Sequence, residues 1–364
     1  MIESIFFWLL IIFCSIYIVI HSFLWKGLGN LSKKQLNQQF QSISIIVAAR
    51  NEEASIGKLL QSLIEQIYPS DKFEIIIVND RSTDSTAFIV ENFIKQHSQI
   101  RLINITANNT DMPHKKNALR TGIAQASFEI LAFTDADCIV PKQWLNEISK
   151  NYTDDVGIVA GYSPYDFPNS FLRYEECKNS LLAASAVEMK NAFMCTGRNF
   201  SYRKAVYNEV GGFEEIKNSI SGDDDLFLQL AQKKTAWKIR YMIAPESYIR
   251  TVSPGSFSQF INQRTRHVSA SKFYPMKIKS AFAFVHLFHL ITLIGFFFLP
   301  LTSLIMVLIK FNIDALFITK GKDVFQEEFS LVEFAVDETL VVLYSLFIAP
   351  LGFLKTFNWK GTFQ

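Results

Sequence analysis

The stretch "EILAFTDADCIVPKQW", residues 129–144, decides how the rest of the chain is read. An apolar run, "FEILAFT" (128–134), ends abruptly in two carboxylates, Asp135 and Asp137, with one alanine between them. Carboxylates at the mouth of a buried strand are costly unless something pairs with them. Upstream the same pattern occurs three more times. "ISIIVAA" (43–49) reads as a buried strand, followed by a helical stripe of Ile56, Leu59, Leu60, Leu63, Ile64 and Ile67. "FEIIIV" (73–78) is a second strand, and Ser82 or Asp84 is placed to cap a helix beginning near "STDSTAF". "IRLINI" (100–105) is a third, with a helix through "KNALRTGIAQA". "FEILAFT" is then the fourth strand, and Pro141 suits the first turn of the helix after it. Strands apolar on both faces, alternating with amphipathic helices, imply an α/β fold whose mostly parallel sheet is covered on both sides.

In such sheets ligands bind beyond the carboxyl ends of the strands. The polar residues gather there: Arg50, Asn51 and Glu52 after the first strand, Asn79 and Asp80 at the second, Asp135 and Asp137 at the fourth. No G-x-G-x-x-G follows the first strand and no G-x-x-x-x-G-K-[ST] occurs, so dinucleotide and P-loop readings lose their main support. An Asp-x-Asp turn lets two carboxylates reach one hard cation, Mg²⁺ or Mn²⁺, with phosphate oxygens and water completing the shell. Such an ion neutralises charge that builds on a departing diphosphate. Alone, the tripeptide is more often a solvated turn; its place after two other polar strand ends makes it a candidate metal site.

The flanks are of another kind. Hydrophobic residues make up 49% of the 364-residue chain, and they are unevenly spread. Residues 5–24 contain no Asp, Glu, Lys or Arg. Twenty residues at ~1.5 Å each cross a hydrocarbon core of ~30 Å. No basic residue precedes this run, so it reads as an uncleaved anchor (1–25) rather than a signal peptide, followed by a polar linker (26–41). Residues 281–309 are too long for one upright span and contain Pro300, which marks either a kink or the turn of a hairpin whose second limb continues to about Ile318. Lys310 and Asp314 in that limb are four apart and can neutralise each other in lipid. Residues 340–354 form a further short apolar segment, giving two to three C-terminal segments in 276–364, with three favoured. Lys26, Lys33 and Lys34 follow the first span, and Lys272, Lys277 and Lys279 precede the second. Both flanks of the central domain (42–275) are therefore basic, which places it in the cytoplasm at the plasma or inner membrane. A net charge of +2 gives no support for a nucleic-acid partner. The four cysteines show no C-x-x-C pairing and read as reduced thiols without structural zinc.

The segments "SIIVAARNEE", "IIIVNDRSTDST", "KKNALRTGI", "FTDADC", "TGRNFSYRKAVYNEVGGF" and "SGDDDLFLQL" resemble, in that order, the motifs of inverting family-2 glycosyltransferases of GT-A fold. The resemblance covers about residues 42–270 and implies a nucleotide-sugar donor, UDP-linked in the first instance. It implies that Ala49, Arg50, Glu52, Asp80, Lys115 and Asp135 bind substrate, with Asp80 accepting an N–H from the nucleotide base. Asn79 departs from the second Asp often found there, which leaves base choice open. Lys115 matches the lysine of a G-K-x-x-A-L-N motif in which His114 replaces Gly and Arg120 replaces Asn.

Inverting transfer needs a group that takes a proton from the acceptor hydroxyl, opposite the leaving diphosphate. "SGDDDLFLQL" offers Asp223, Asp224 and Asp225; the G-D-D form of related membrane synthases favours Asp224 as base, with Asp223 next. Successive helix residues point ~100° apart, so one is expected to face the site while another caps the helix. Further on, Gln263, Arg266 and His267 share a helical face in "INQRTRHV". This resembles the Q-x-x-R-W motif of membrane-bound polysaccharide synthases, with His267 in place of Trp, and adds Gln263, Arg264 and Arg266 to the substrate-binding set. The reading is a membrane glycosyltransferase acting on a lipid-linked, lipid or glycan acceptor. Its alternatives are a nucleotidyl- or phosphosugar transferase and a catalytically inactive membrane scaffold.

Overall fold

The computed structural model describes residues 1–31, 36–106, 111–166, 168–348 and 350, and the backbone of 358–359 and 362–363. In chain order, α1 (Ile2–Leu28) is followed by β1 (Ile43–Ala49), α2 (Ile56–Ile64), β2 (Phe73–Asp80), α3 (Thr86–Ile94), β3 (Ile100–Ile105), α4 (His114–Gln125) and β4 (Ile130–Phe133). Next come β5 (Cys138–Ile139), α5 (Trp144–Asn151), β6 (Val156–Gly161), β7 (Tyr165–Asp166), α6 (Ser170–Glu188), β8 (Phe200–Arg203), α7 (Lys204–Val210) and α8 (Asp225–Lys234). The remainder is β9 (Lys238–Met242), β10 (Arg250–Val252), α9 (Phe257–Ala270), α10 (Met276–Phe298), α11 (Pro300–Phe325) and α12 (Leu331–Leu343). These elements form two compact units: residues 31–167 with 186–253, and residues 1–30, 168–185 and 254–364.

The first unit is built on a sheet of order β3-β2-β1-β4-β8-β6-β9. Strands β1, β2, β3 and β4 run parallel, while β8 runs antiparallel to both β4 and β6. The first four strands are where the apolar runs place them: β1, β2 and β4 are buried on both faces, while β3, at the sheet edge, is buried only at Ile100. Helix α4 lies on β1 and β2, and the approach is close: a Cβ on Gly122 would come within 2.6 Å of the Ile46 side chain.

Three local expectations need correction. Helix α3 starts at Thr86 with Ser85 at its cap position; of the two expected caps, Ser82 serves the loop after β1, and Asp84 serves both that loop and the first N–H of α3. Ser82 Oγ accepts the Asn51 N–H at 3.0 Å, and Asp84 accepts from both Glu53 N and Thr86 N. Pro141 lies ahead of α5, in a turn whose carbonyl accepts the Trp144 N–H. Ile67 lies past the end of α2 and is 64% exposed, so it is not part of the buried stripe.

In the second unit α1, α10 and α11 are each long and apolar enough to cross a membrane. They pack on one another, and a Cβ on Gly295 of α10 would meet Ser303 Oγ of α11 at 2.5 Å. Only Leu299 separates α10 from α11, and Pro300 opens α11 as its first residue, so the hairpin alternative is the one adopted. The second limb extends beyond Ile318 to Phe325. Of the expected 340–354 segment, α12 and a π-helical turn (Tyr344–Ile348) supply the start, and most of the rest lies outside the described residues.

Residues 168–185 and 254–275, which the sequence reading assigns to the central domain, group here with the long helices. Side-chain pairs tie residues 168–185 to the long helices. Lys178 of α6 pairs with Glu338 at 2.5 Å and Asp314 at 3.3 Å. Lys310 binds Asp314 at 2.7 Å, as its spacing predicts, and also binds Glu338. Tyr17 donates to Asp314 and Tyr174 to Glu338, each at 2.7 Å.

Candidate active site

The site forms at the carboxyl edge of β1, β2 and β4. Two non-glycine residues there, Asn51 and Arg81, sit in the left-handed region at φ 53°. Bulky side chains rarely adopt this conformation, and it turns the chain sharply after each strand. The two turns are clasped: Asn51 Oδ1 accepts the Thr83 N–H at 2.8 Å, and the Glu52 N–H donates to Thr86 Oγ1 at 2.8 Å. Ala49 is buried at the end of β1, level with Asn79 in register.

Asp80 ends β2 and is 4% exposed. Its Oδ1 accepts from Arg81 Nε at 2.8 Å, while Oδ2 lies 3.9 Å from Arg50 and 4.0 Å from His114. His114 also sits 2.7 Å from Arg81. Burial first, then the Arg81 charge, holds the His114 imidazole below its usual range. Asn79, the residue that departs from the family pattern, donates to Asn104 at 2.8 Å and accepts from Ser82 N. It thus ties β2 to β3 and to the following turn.

Lys115 joins two distant parts of the sequence. Its ammonium lies 2.9 Å from Asp135 at the end of β4 and 3.1 Å from Asp223 ahead of α8. Burial would lower this lysine, but the Asp135, Asp223 and Asp224 carboxylates outweigh it and hold the ammonium above its usual range. These residues line a small cavity together with Ala48, Thr134, Gly197 and Tyr202. Asp137, two residues after Asp135, is exposed. Its carboxyl is pushed up by the surrounding protein and then by the Asp135 and Glu52 carboxylates, against the opposing charge of Arg198. The side chain nonetheless reaches solvent, so its desolvation is only partial.

Gly222, at φ 83°, turns the chain into the acidic run. Asp224 is the N-cap of α8: one carboxylate oxygen accepts the Asp225 N–H at 2.7 Å and the other the Gly197 N–H at 2.8 Å. Burial, then Asp223, raises its pKa, with Lys115 opposing. The division expected from helix geometry is therefore present, with Asp223 directed to Lys115 and Asp224 to the cap. Asp225 begins α8.

Sequence reading passed over Lys116, which is fully buried and donates to the carbonyls of Ser219 and Ser221. It also passed over Arg198, whose guanidinium lies 5.3 Å from the Tyr165 ring centre and acts on Asp137. Both stand within quoted segments, Arg198 in "TGRNFSYRKAVYNEVGGF" and Lys116 in "KKNALRTGI", where it occupies a variable position beside the motif lysine Lys115. Gln263, Arg264 and Arg266 belong to α9 in the helical unit. Arg264 is 6% exposed and binds Glu175 of α6, whereas Gln263 and Arg266 are half-buried.

Among the described residues no three His, Cys, Asp or Glu side chains form a metal cage. Two hard carboxylates nonetheless suit Mg²⁺ or Mn²⁺, which usually keep water and substrate oxygens in their shell. The like-charge pressure on Asp137 is what a bound cation would relieve. The four cysteines are free thiols, three of them buried. Burial and then Asp135 and Asp137 push the Cys138 thiol up to about 12.

Two family models match the chain: glycosyl transferase family 2 over residues 44–211, and glycosyl transferase family group 2 over 130–354. The chain belongs to the family-2 glycosyl transferases. Among curated relatives, "Probable glycosyltransferase YdaM" of Bacillus subtilis is 23% identical, over 70% of this chain and 61% of its own length. "Glycosyltransferase AglE" of Haloferax volcanii is 30% identical, over 50% of this chain and 58% of its own. The chain thus spans about three fifths of the length of these two relatives. A poly-beta-1,6-N-acetyl-D-glucosamine synthase of Staphylococcus epidermidis is 28% identical, over 83% of this chain and 75% of its own length. The mannosyltransferase PcManGT from Pyrobaculum calidifontis, solved in complex with GDP-Man and Mn²⁺, superposes with a TM-score of 0.55 at 19% identity, covering 94% of each chain. That likeness shows the GT-A type of fold.

Proposed function

We propose that this protein is an integral-membrane enzyme that transfers a sugar from a nucleotide-sugar donor to a membrane-associated acceptor with inversion. The observation that carries the reading is the Lys115 bridge, which draws the Asp-x-Asp carboxylate and the acidic run before α8 to one ammonium. Membership of the family and the metal- and nucleotide-sugar-bound relative of like fold support the same reading.

Asp80 is the group we assign to the nucleotide base, with a UDP-linked donor favoured because a carboxylate can accept the uracil N–H. Asp135 and Asp137 would hold Mg²⁺ or Mn²⁺. When bound, the ion would neutralise charge on the departing diphosphate. Arg266 is suited to hold a diphosphate bidentately, with Gln263 on the same face. The base is better assigned to Asp223 than to Asp224, our first expectation. Both oxygens of Asp224 already accept backbone N–H groups, while Asp223 shares Lys115 with Asp135. In this scheme Asp223 takes the acceptor proton and Asp224 fixes the start of α8 beside it.

The test is a donor screen on detergent-solubilised protein with UDP-glucose, UDP-N-acetylglucosamine and GDP-mannose, membrane extract as acceptor, and mass spectrometry as readout. A new glycosylated product supports the reading; no product and no donor hydrolysis from any donor would overturn it. We also propose that the sheet-bearing unit faces the cytoplasm, from the lysines flanking the spans. A cysteine at exposed Glu91 should then resist impermeant thiol reagents in intact cells and react after lysis. Labelling before lysis would reverse the orientation.

A further inference from the structure

Lys116 follows Lys115 in the first turn of α4 and has no exposed surface. Successive helix residues diverge by ~100°, so the two lysines serve different neighbours. Lys115 reaches carboxylates. The hydrogen-bond partners of Lys116 are two backbone carbonyls, those of Ser219 and, at 2.7 Å, Ser221. These residues lead directly into Gly222, whose φ of 83° sets the direction of the chain, and then into Asp223.

A buried ammonium is costly, and a methionine would fill a similar space without that cost. The lysine makes physical sense only if the inward carbonyls of the 219–221 turn require donors. No other side-chain donor to either carbonyl occurs among the described residues. The aspartates at 223, 224 and 225 also favour a positive charge at this position, offsetting part of the burial cost.

We infer that Lys116 is a positioning residue for transfer: it tethers the turn that carries Asp223 and so fixes where that carboxylate stands beside Lys115. The inference rests on the reading of Asp223 as base.

The experiment uses the full chain in detergent, with the nucleotide sugar that gives the highest wild-type turnover in the donor screen above. Lys116→Gln removes the charge and shortens the reach, leaving an amide with two N–H donors; Lys116→Arg keeps the charge and several N–H donors. A carboxylate displaced by a fraction of an ångström to 1 Å should lower kcat ~10- to 100-fold. The expected result is that fall in Lys116→Gln, with donor KM unchanged within about twofold, and partial recovery in Lys116→Arg. Wild-type kcat in Lys116→Gln would overturn the inference. So would loss, in both variants, of binding of that donor's nucleoside diphosphate, since that would assign Lys116 to the fold as a whole. A wild-type protein that processes no donor defeats the functional reading itself, and it is seen before any variant is made.

Discussion

Two clusters of lysine and carboxylate in this protein differ in a way that separates scaffolding from chemistry. In the helical unit, Lys178 and Lys310 face Asp314 and Glu338, two cations against two anions, and both carboxylates are fully buried. Tyrosine hydroxyls complete their hydrogen bonds. Such a network is internally balanced, which is the condition for keeping charge among apolar helices. At the sheet edge, Lys115 faces Asp135 and Asp223, with Asp224 close by, and Asp137 adds another carboxylate next to Arg198. There the anions exceed the cations, and the cluster borders a cavity. A balanced cluster holds elements together; an acidic excess at an opening is completed by something from outside.

That contrast can be broken by substitution. The largest effect is expected for Asp223→Asn, which keeps the size of the side chain and removes the proton acceptor. Transfer should fall by ~10²–10⁴-fold with donor binding retained, because general-base catalysis has that magnitude. Initial rates beside calorimetric UDP binding would check it, and full activity would remove Asp223 from the role. Next comes Lys310→Met in the balanced cluster. Leaving buried carboxylates uncompensated should cost about 3–5 kcal/mol of stability. Thermal unfolding in detergent would show it, and an unchanged midpoint would mean the network adds nothing. The smallest effect separates cap from base. Asp224→Asn should keep the helix cap through its single amide oxygen and lose only the bond from Gly197 N–H, so transfer should fall far less than in Asp223→Asn, whereas Asp224→Ala should lose about 0.5–2 kcal/mol of stability. A dead, stably folded Asp224→Asn variant would return the base to Asp224.

Legibility in the sequence followed the same divide. Strands β1, β2 and β4 were visible because parallel strands buried on both faces leave continuous apolar runs, and edge strand β3 through an apolar run broken only by Arg101 and Asn104. Strands β6, β8 and β9 were not. "FSYR" and "KIRYM" are short and polar in part, and their place in the sheet depends on β8 running antiparallel between β4 and β6. The acidic groups of the site could be read from residue type and position at strand ends. Their division of labour could not, because three consecutive aspartates differ only through the turn at Gly222 and the cap at Gly197. Lys116 was hidden for a related reason: its partners are main-chain carbonyls, which any sequence supplies. Arg264, grouped with Gln263 and Arg266 by motif, pairs with Glu175, a partner that spacing alone does not reveal.

The central claim, that the acidic excess at the end of β4 awaits a cation and a diphosphate, is tested most directly by calorimetric titration of the full-length protein with UDP and GDP, in MnCl₂ and in EDTA. The account predicts that the preferred nucleotide binds at least about tenfold more tightly with Mn²⁺, and that Asp137→Asn abolishes the difference without unfolding the protein. Equal affinity in EDTA and Mn²⁺, or a metal dependence that survives Asp137→Asn, would contradict it.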